Sequence, residues 1–322
     1  MPVLTTAGLP LWGRYLLVGG WLLVPLLLGK WDYGLHVLIM VGVYVVLALS
    51  LNLVNGMAGQ LNLGHAAFFG IGSYITALLM VEKAWPFWAT LPLAFVISGM
   101  FGLLVGLPAL RVSGDYLGIV TLGFGEITRL VLINWIDVTH GPMGVPGIPA
   151  PTLFGYAFSS KAAYFYLVTL LAAATWWVMD RLAVSKIGLE MLALKEDERV
   201  AQALGINVGR VKLQAFAIGA CFAGLAGAFY AVYISFISPD SFLFNDSAVI
   251  LCMVVLGGMG SVLGSVVGAV ILIIAPEGLR FLGSWRMVLY GILLTVMMVR
   301  KPSGIWGLER RVRNAIRLTA GG

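Results

Sequence analysis

The chain has 322 residues, of which 60% are hydrophobic and only 11% are charged, and its mean hydropathy is +0.98. A soluble protein carries about 25% charged residues, so this composition excludes a soluble globular protein. The apolar runs are about 15 to 25 residues long, which suits helices that cross a bilayer core rather than the shorter strands of a barrel. The net charge of +6 does not indicate nucleic acid, because the basic residues gather in loops and at the C-terminus.

Six membrane spans are predicted in the first 179 residues, at 14–28, 35–54, 61–80, 87–107, 117–135 and 162–179. The third span is unusual because small residues line one side of it, which lets another helix approach closely. It also contains Asn62 and His65, and this histidine has either a packing role or a functional one. The stretch 137–161 is rich in proline and glycine, so we expect an external loop.

The fifth span contains two ionisable residues, Glu126 and Arg129. They are three residues apart, so they share one helical face and can pair. A charge inside a membrane helix is costly and is a functional candidate by default. The alternative is a purely structural ion pair near a helix end or facing the bundle.

A polar segment at residues 180–212, called the central segment below, follows the sixth span and holds a dense mixture of acidic and basic residues. Its middle, 189–204, has apolar residues at helical spacing. Gly205 stands where a left-handed residue closes a helix, with Asn207 just beyond. The pattern predicts one short amphipathic helix outside the membrane. The alternative is a solvated connecting loop that happens to be helical.

The rest of the chain predicts further spans at 213–232, 247–275 and 286–299, followed by a basic tail at 300–322. The run 247–275 is too long for one helix and is interrupted by glycines at 257, 258 and 260, so we split it into two short segments. Basic segments prefer the cytoplasm, which places the central segment and the tail there. Six spans precede the central segment, so the N-terminus is expected on the same side. The prediction is about ten crossings in a single transmembrane domain, 1–322. Broken helices of this kind are typical of transporters.

Several kinds of chemistry have no signature in the sequence. We find no GxxxxGK[ST] loop for nucleotides and no HExxH motif, and only three histidines. Cys221 and Cys252 lie in apolar segments and form no redox or metal motif. We therefore expect no catalytic residues, no metal and no cofactor. Dense carboxylates for a proton relay are also missing, so the energy for transport comes from elsewhere or the protein is a passive pore.

Four stretches carry a resemblance to a known family: 47–79, 121–149, 188–231 and 254–270. The third is the most specific, because Lys195, Glu196, Asp197, Ala201 and the run 205–207 stand in places comparable to the family pattern R-x-x-x-E/D-x-x-A-x-x-x-G-I-N. The chain departs from the family at 189–191, where relatives often carry arginine, and at His140, where many have glycine. The sequence resembles the Liv-type permeases of bacterial branched-chain amino acid ABC importers, in particular their longer subunit.

The resemblance implies an all-α polytopic membrane protein with the type II-like bundle of ABC importer permeases, which has about ten helices. It places the protein in the bacterial inner membrane, in contact with membrane lipid. It implies four partners: two ATPase subunits that bind ATP and magnesium, a second homologous permease and a periplasmic solute-binding protein. Branched-chain amino acids are the expected substrate, with urea and short amides as alternatives within the family. A stand-alone channel or secondary carrier for a small neutral solute is the alternative outside it.

The resemblance also assigns site residues. By its analogy the central segment contacts the ATPases, and the expected coupling residues are Gly188, Leu192, Lys195, Glu196, Asp197, Ala201, Gly205 and Asn207. The candidate residues for the translocation pathway are Asn62, His65, Glu126 and Arg129.

Overall fold

The computed structural model describes residues 32–153 and 156–278 and the single positions Gly291, Thr295 and Gly304. Eleven α-helices form the described part: α1 Asp32–Leu51, α2 His65–Glu82, α3 Phe87–Ala109, α4 Asp115–Asn134, α5 Ile136–Thr139, α6 Lys161–Val184, α7 Lys186–Glu196, α8 Glu198–Ala203, α9 Val208–Ile234, α10 Phe244–Gly257 and α11 Val262–Gly278. A π-helix, Asn52–Met57, continues α1, and 3₁₀ turns lie at Gly141–Met143 and Pro239–Ser241.

Four two-residue strands accompany the helices. They are β1 Val145–Pro146, β2 Thr152–Leu153, β3 Tyr156–Ala157 and β4 Phe236–Ile237. β1 pairs antiparallel with β4, with Val145 opposite Ile237, and β2 pairs antiparallel with β3. The first pair therefore ties the loop that follows α4 to the segment that leads into α10.

Seven helical stretches in the described residues are long and apolar enough to cross a membrane, and the all-α polytopic class is confirmed. They are Asp32–Met57, His65–Glu82, Phe87–Ala109, Asp115–Asn134, Lys161–Val184, Val208–Ile234 and Pro239–Gly257. Val262–Gly278 is a shorter apolar helix. The span predicted at 14–28 lies outside the described residues, and so does that at 286–299 apart from Gly291 and Thr295, so the total of ten stays a prediction.

The third predicted span starts later than expected, because α2 begins only at His65. In the residues just before α2, side chains accept hydrogen bonds from the backbone N–H groups. The Asn55 side-chain oxygen accepts from the backbone N–H of Asn62 at 3.2 Å, and the Thr121 hydroxyl accepts from that of Leu63 at 2.9 Å. These bonds replace the helical ladder, so residues 61–64 form a non-helical entry to α2.

The predicted division of the run 247–275 is confirmed. α10 ends at Gly257 and α11 begins at Val262. Between them Gly258 and Gly260 have φ angles of 111° and 87°, which side chains other than glycine rarely adopt. α10 itself begins at Phe244, three residues before the predicted start.

The core of the bundle is built around α9, which packs against α2 and α3. Small residues allow the close approach: a methyl group on Gly72 would overlap the carbonyl of Gly224. The hydroxyl of Ser73 donates to the Gly227 carbonyl at 2.9 Å. The predicted small-residue faces of the third and seventh spans therefore pack against each other.

Polar contacts mark one end of the bundle. Lys161 lies 3.3 Å from Asp32, and His140 lies 3.2 Å from Glu82. The β1–β4 pair belongs to the same end, because β4 follows directly on the last turn of α9. The central segment lies at the opposite end, where α6 finishes and α9 begins.

Candidate functional site

The central segment forms two helices, α7 and α8, so the prediction of one helix over 189–204 is wrong. The break is at Asp197, whose backbone is extended with φ −160° and ψ 118°. Its carboxylate accepts hydrogen bonds from the N–H groups of Arg199 at 2.8 Å and Val200 at 3.1 Å. Asp197 is thus the N-cap of α8. The apolar pattern hid this break because the stripe continues across it.

The two helices of the central segment have an inner and an outer apolar face. On the inner face, Met191, Leu194 and Ala201 are buried against the bundle. Much of the predicted stripe lies on the outer face instead, and its exposed fractions are 59% for Leu189, 36% for Leu192, 56% for Val200 and 74% for Leu204. We call these four residues the outer face. A row of exposed apolar side chains beside charged residues is the composition of a docking surface.

Lys195 reaches from α7 back to the membrane helices. Its ammonium donates to the carbonyl of Gly56, in the π-helix that ends α1, at 2.8 Å. Its stem passes Gly59 so closely that a Cβ there would lie 3.0 Å from the Lys195 Cγ. This predicted coupling residue therefore fixes the central segment to the bundle.

A second lysine anchors α8. Lys212, in the first turns of α9, is 2% exposed, and its ammonium donates to the Ala109 carbonyl at 3.1 Å and to Oε1 of Glu198 at 2.9 Å. Neither Lys212 nor Glu198 was among the residues predicted from the sequence. The signal was present, since a lysine at the start of an apolar helix needs a partner.

The remaining predicted coupling residues shape the helix ends. Gly188 lies where a methyl group would overlap the Leu182 carbonyl in the tight α6–α7 turn. Gly205 has φ +82° and closes α8 as predicted. The side-chain oxygen of Asn207 accepts from the Arg210 N–H at 3.0 Å, which caps α9. Glu196, the last residue of α7, is exposed.

Asn62 and His65 lie together in a buried polar network at the start of α2. His65 is fully buried and Asn62 is 1% exposed. The two side chains meet at 3.3 Å, and the other ring nitrogen of His65 lies 2.8 Å from the Ser50 hydroxyl of α1. Asn62 also accepts from the Gly64 N–H at 3.0 Å. The network joins the entry to α2 to the last turn of α1.

Glu126 and Arg129 form the ion pair that their spacing predicts. The guanidinium donates to the carboxylate from two nitrogens, with distances of 2.7 Å and 3.1 Å to Oε1. The side chains of Glu126 and Arg129 are 48% and 26% exposed. Asp240, ahead of α10, approaches Arg129 at 3.7 Å. The pair lies on the outer surface of α4 among exposed apolar residues.

Glu126 borders a small recess of about 30 Å³, which has room for water but not for a larger solute. The recess lies between the entry to α2, the middle of α4 and the start of α10, and its lining is mostly apolar: Leu63, Gly64, Ala66, Ala67, Leu122, Gly125, Phe242, Leu243, Phe244 and Ser247. Asn62 and His65 lie behind this wall. Within residues 32–153 and 156–278, no three metal-ligating side chains lie together.

Comparison with known proteins gives the chain a family. A family profile described as "Branched-chain amino acid transport system / permease component" matches residues 34–298. The permease protein LivM of a high-affinity branched-chain amino acid transport system from Salmonella typhimurium is 41% identical, over 83% of this chain and 68% of the relative. LivM of Escherichia coli K12 is 40% identical over the same shares.

A second kind of relative is more distant. The permease protein LivH of Escherichia coli K12 is 28% identical, over 82% of this chain and 91% of the relative. No solved structure matches the chain. The family profile covers most of the chain. The two LivM relatives are 41% and 40% identical to it, and the matched region covers 68% of each relative. The chain therefore belongs to the family of branched-chain amino acid ABC transport permeases.

Proposed function

We propose that this chain is the longer permease subunit of an ABC importer that carries branched-chain amino acids across the bacterial inner membrane. The names of the LivM and LivH relatives support the substrate. The proposed partners are two ATPase subunits, a second homologous permease and a periplasmic solute-binding protein. ATP hydrolysis resides in the ATPases, which bind ATP and magnesium, while this chain holds no cofactor. Both termini lie in the cytoplasm.

The observation that carries the proposal is the outer face of the central segment. Leu189, Leu192, Val200 and Leu204 are exposed, although α7 and α8 are held to the bundle at Lys195 and Lys212. A rigid helix pair with an apolar outer face suits docking in a groove of another protein. The charged residues around it suit the selection of register and partner. The central segment therefore fits the role of the coupling element.

The Glu126–Arg129 pair supports a pathway along the outer surface of α4. Glu126 stands in the middle of α4, eleven residues after Asp115, and half of its side chain is exposed. A charge at membrane depth avoids lipid and faces a protein interior or water. The second permease chain supplies the opposite wall, and the space between the chains is wet.

The surface around this pair complements the proposed solute in chemistry, although the recess itself, at about 30 Å³, is too small to enclose an amino acid. A branched-chain amino acid carries one ammonium, one carboxylate and an apolar side chain. Glu126 and Arg129 offer the complementary charges, and Leu122, Phe242 and Phe244 offer apolar surface. In the proposal Asn62 and His65 stiffen the wall of the pathway from behind, through their hydrogen bonds to each other and to Ser50.

The first test is purification of the tagged chain from its native membrane, followed by reconstitution. We expect two ATPases and a second permease to be recovered with it. In liposomes, together with the binding protein, the complex should take up labelled leucine only when ATP is supplied. Urea and acetamide as competitors distinguish the amide alternative. Recovery of the chain alone, with solute flux intact in liposomes that contain no other protein, would instead favour a channel or secondary carrier.

A further inference from the structure

Three parts of the molecule meet at the carbonyl of Gly56. The first is the π-helix itself, which contains Asn52 and Gly56. The second is α7, because the Lys195 ammonium donates to that carbonyl at 2.8 Å. The third is the turn between α10 and α11, because the N–H of Gly260 donates to the side-chain oxygen of Asn52 at 2.8 Å. The central segment is thereby joined to the broken helix pair through one turn of α1.

The junction leaves little room for independent movement. A Cβ on Gly260 would lie 2.9 Å from the Gly56 carbonyl oxygen and 3.6 Å from the Lys195 ammonium nitrogen. A methyl group on Gly56 would overlap the Asn52 side chain and the Gly260 backbone. Contacts this close transmit a displacement, because packed elements respond as bodies and do not deform continuously.

The chemistry of the junction explains why a lysine serves here. The last carbonyls of a helix lack intrahelical donors, and a cation at a helix C-terminus supplies a donor and complements the helix dipole. Lys195 does this for the end of the extended helix α1. π-helical turns such as Asn52–Met57 are frequent at functional sites. The bond therefore joins this π-helical turn to a segment that lies outside the membrane.

The far end of α10 reaches the recess. Its Ser247 hydroxyl accepts from the backbone N–H of Ala66 at 2.8 Å, and Phe244 and Ser247 line the recess beside Glu126. α10 has only 14 residues and moves as one body. A shift of the turn at Gly260, which follows its C-terminus, therefore also shifts its N-terminus beside the recess. A continuous set of contacts runs from Lys195 through Gly56, Asn52, Gly260 and α10 to the recess.

We propose that Lys195 is a positioning residue that passes movement of the central segment to the α10–α11 turn through Gly56 and Asn52. The proposal rests on the proposed function, in which the central segment docks the ATPases. In this proposal Lys195 acts inside the permease. The outer face binds the ATPase, and Lys195 connects the movement of that face to the translocation pathway.

The test compares two lysines of α7 in the assembled complex. Lys195→Met keeps the stem against Gly59 and removes the ammonium. Lys186→Met is the matched control, because Lys186 is in the same helix and its side chain is 90% exposed. Each variant is purified with its partners, and recovered ATPase, ATP hydrolysis and ATP-driven leucine uptake are measured in liposomes.

We expect Lys195→Met to retain ATPase recovery and hydrolysis, while leucine uptake per ATP falls at least about tenfold, within the usual range of coupling between sites. Lys195→Arg keeps a donor and should restore part of the ratio, and Lys186→Met should keep all of it. Unchanged uptake per ATP in Lys195→Met would overturn the proposal. Loss of the ATPases from this variant would also overturn it, because Lys195 would then be a docking contact.

A second variant reaches the junction from the membrane side. Gly260→Ala places a methyl group against the Gly56 carbonyl at a φ of +87°, and it leaves the outer face of the central segment unchanged. We expect the same fall in uptake per ATP with ATPase recovery unchanged, and normal coupling here would contradict the proposed route. If the wild-type chain itself brings down no ATPase, the proposed function fails, which is a different result from any of these.

Discussion

The ammonium of Lys212 lies 2.9 Å from Oε1 of Glu198, and this contact joins the membrane helix α9 to α8 of the central segment. The lysine is 2% exposed, whereas Glu198 is 43% exposed. The ammonium of Lys212 is thus shielded from water, whereas the carboxylate of Glu198 is still partly hydrated. Such a pair is costly to break from the exposed side, because the buried partner stays charged.

Glu198→Ala should therefore lower the stability of the bundle. The half-exposed position of Glu198 limits the loss to about 1–2 kcal/mol, which corresponds to a fall in Tm of about 3–6 °C. Thermal unfolding of the purified chain in detergent measures it. Glu190→Ala is the matched control, because Lys186 lies 3.9 Å away and is exposed; its Tm should hardly move. Equal shifts in both variants would contradict the anchoring role of Lys212.

Leu192→Glu should weaken ATPase docking without unfolding the chain. Leu192 belongs to the outer face and is already 36% exposed, so the folded permease tolerates a charge there. Removal of one buried leucine from an interface costs about 1.5–3 kcal/mol, which is about tenfold to a hundredfold in affinity. The measurement is the amount of ATPase recovered with the tagged permease. Gln202→Glu, an exposed position of α8, should give normal recovery, and normal recovery with Leu192→Glu would show that the outer face is not the docking surface.

Gly205→Pro should uncouple transport while the bundle stays folded. Gly205 has φ +82°, and proline is confined to about −65°, so the six-residue helix α8 loses its closing turn at a cost above about 1 kcal/mol. Gly205→Asn is the control, since asparagine accepts a left-handed backbone. ATP-driven leucine uptake should be lost in the first variant and kept in the second. Full uptake by a folded Gly205→Pro protein would remove the central segment from the coupling mechanism.

Glu196→Arg tests the same segment by charge. Glu196 ends α7 and is exposed, so reversal of its charge should leave the Tm unchanged and reduce ATP-driven uptake. A cation also suits a helix C-terminus, which removes loss of helix as an explanation. Unaltered uptake would mean that the charge of Glu196 makes no contribution to coupling with the ATPase.

The double variant Glu126→Gln with Arg129→Gln separates a pathway role from a structural one. Both side chains can still hydrogen-bond, and no charge is left alone at membrane depth. A purely structural pair predicts a lower Tm with normal uptake by the folded fraction. The pathway role predicts a Tm within about 2 °C of the wild type and leucine uptake reduced at least about tenfold. The single variant Arg129→Gln leaves a lone carboxylate and should reduce membrane insertion, because such a charge costs about 2.5–3.5 kcal/mol.

The helical spans could be predicted from the sequence because bilayer thickness and apolar run length are directly linked. The break at Gly257 to Ser261 could also be predicted, since successive glycines interrupt a helix, and so could the left-handed closure at Gly205. The pairing of Glu126 with Arg129 followed from their spacing alone. Each of these features is local, and local sequence determines it.

The features that were missed depend on tertiary contacts. The break at Asp197 was invisible because the apolar stripe runs through it, although Asp197 is a strong N-cap residue. Lys195 and Lys212 looked like solvated cations of a charged loop, and only the packed bundle turns them toward Gly56 and Ala109. The late start of α2 depends on the side chains of Asn55 and Thr121. Asn55 lies in the π-helix, which the sequence did not predict, and Thr121 is distant from α2 in the sequence.

The length of α10 has a consequence for the bilayer itself. Its 14 residues rise about 21 Å, which is well short of a hydrocarbon core of about 30 Å. The outer part of that crossing is left to residues 238–243, where the N–H groups of Ser241 and Phe242 donate to the carbonyls of Ser238 and Pro239 and that of Leu243 donates to the Asp246 carboxylate. Lipid offers no partners to backbone groups, so these short-range bonds allow the chain to cross here without a full-length helix.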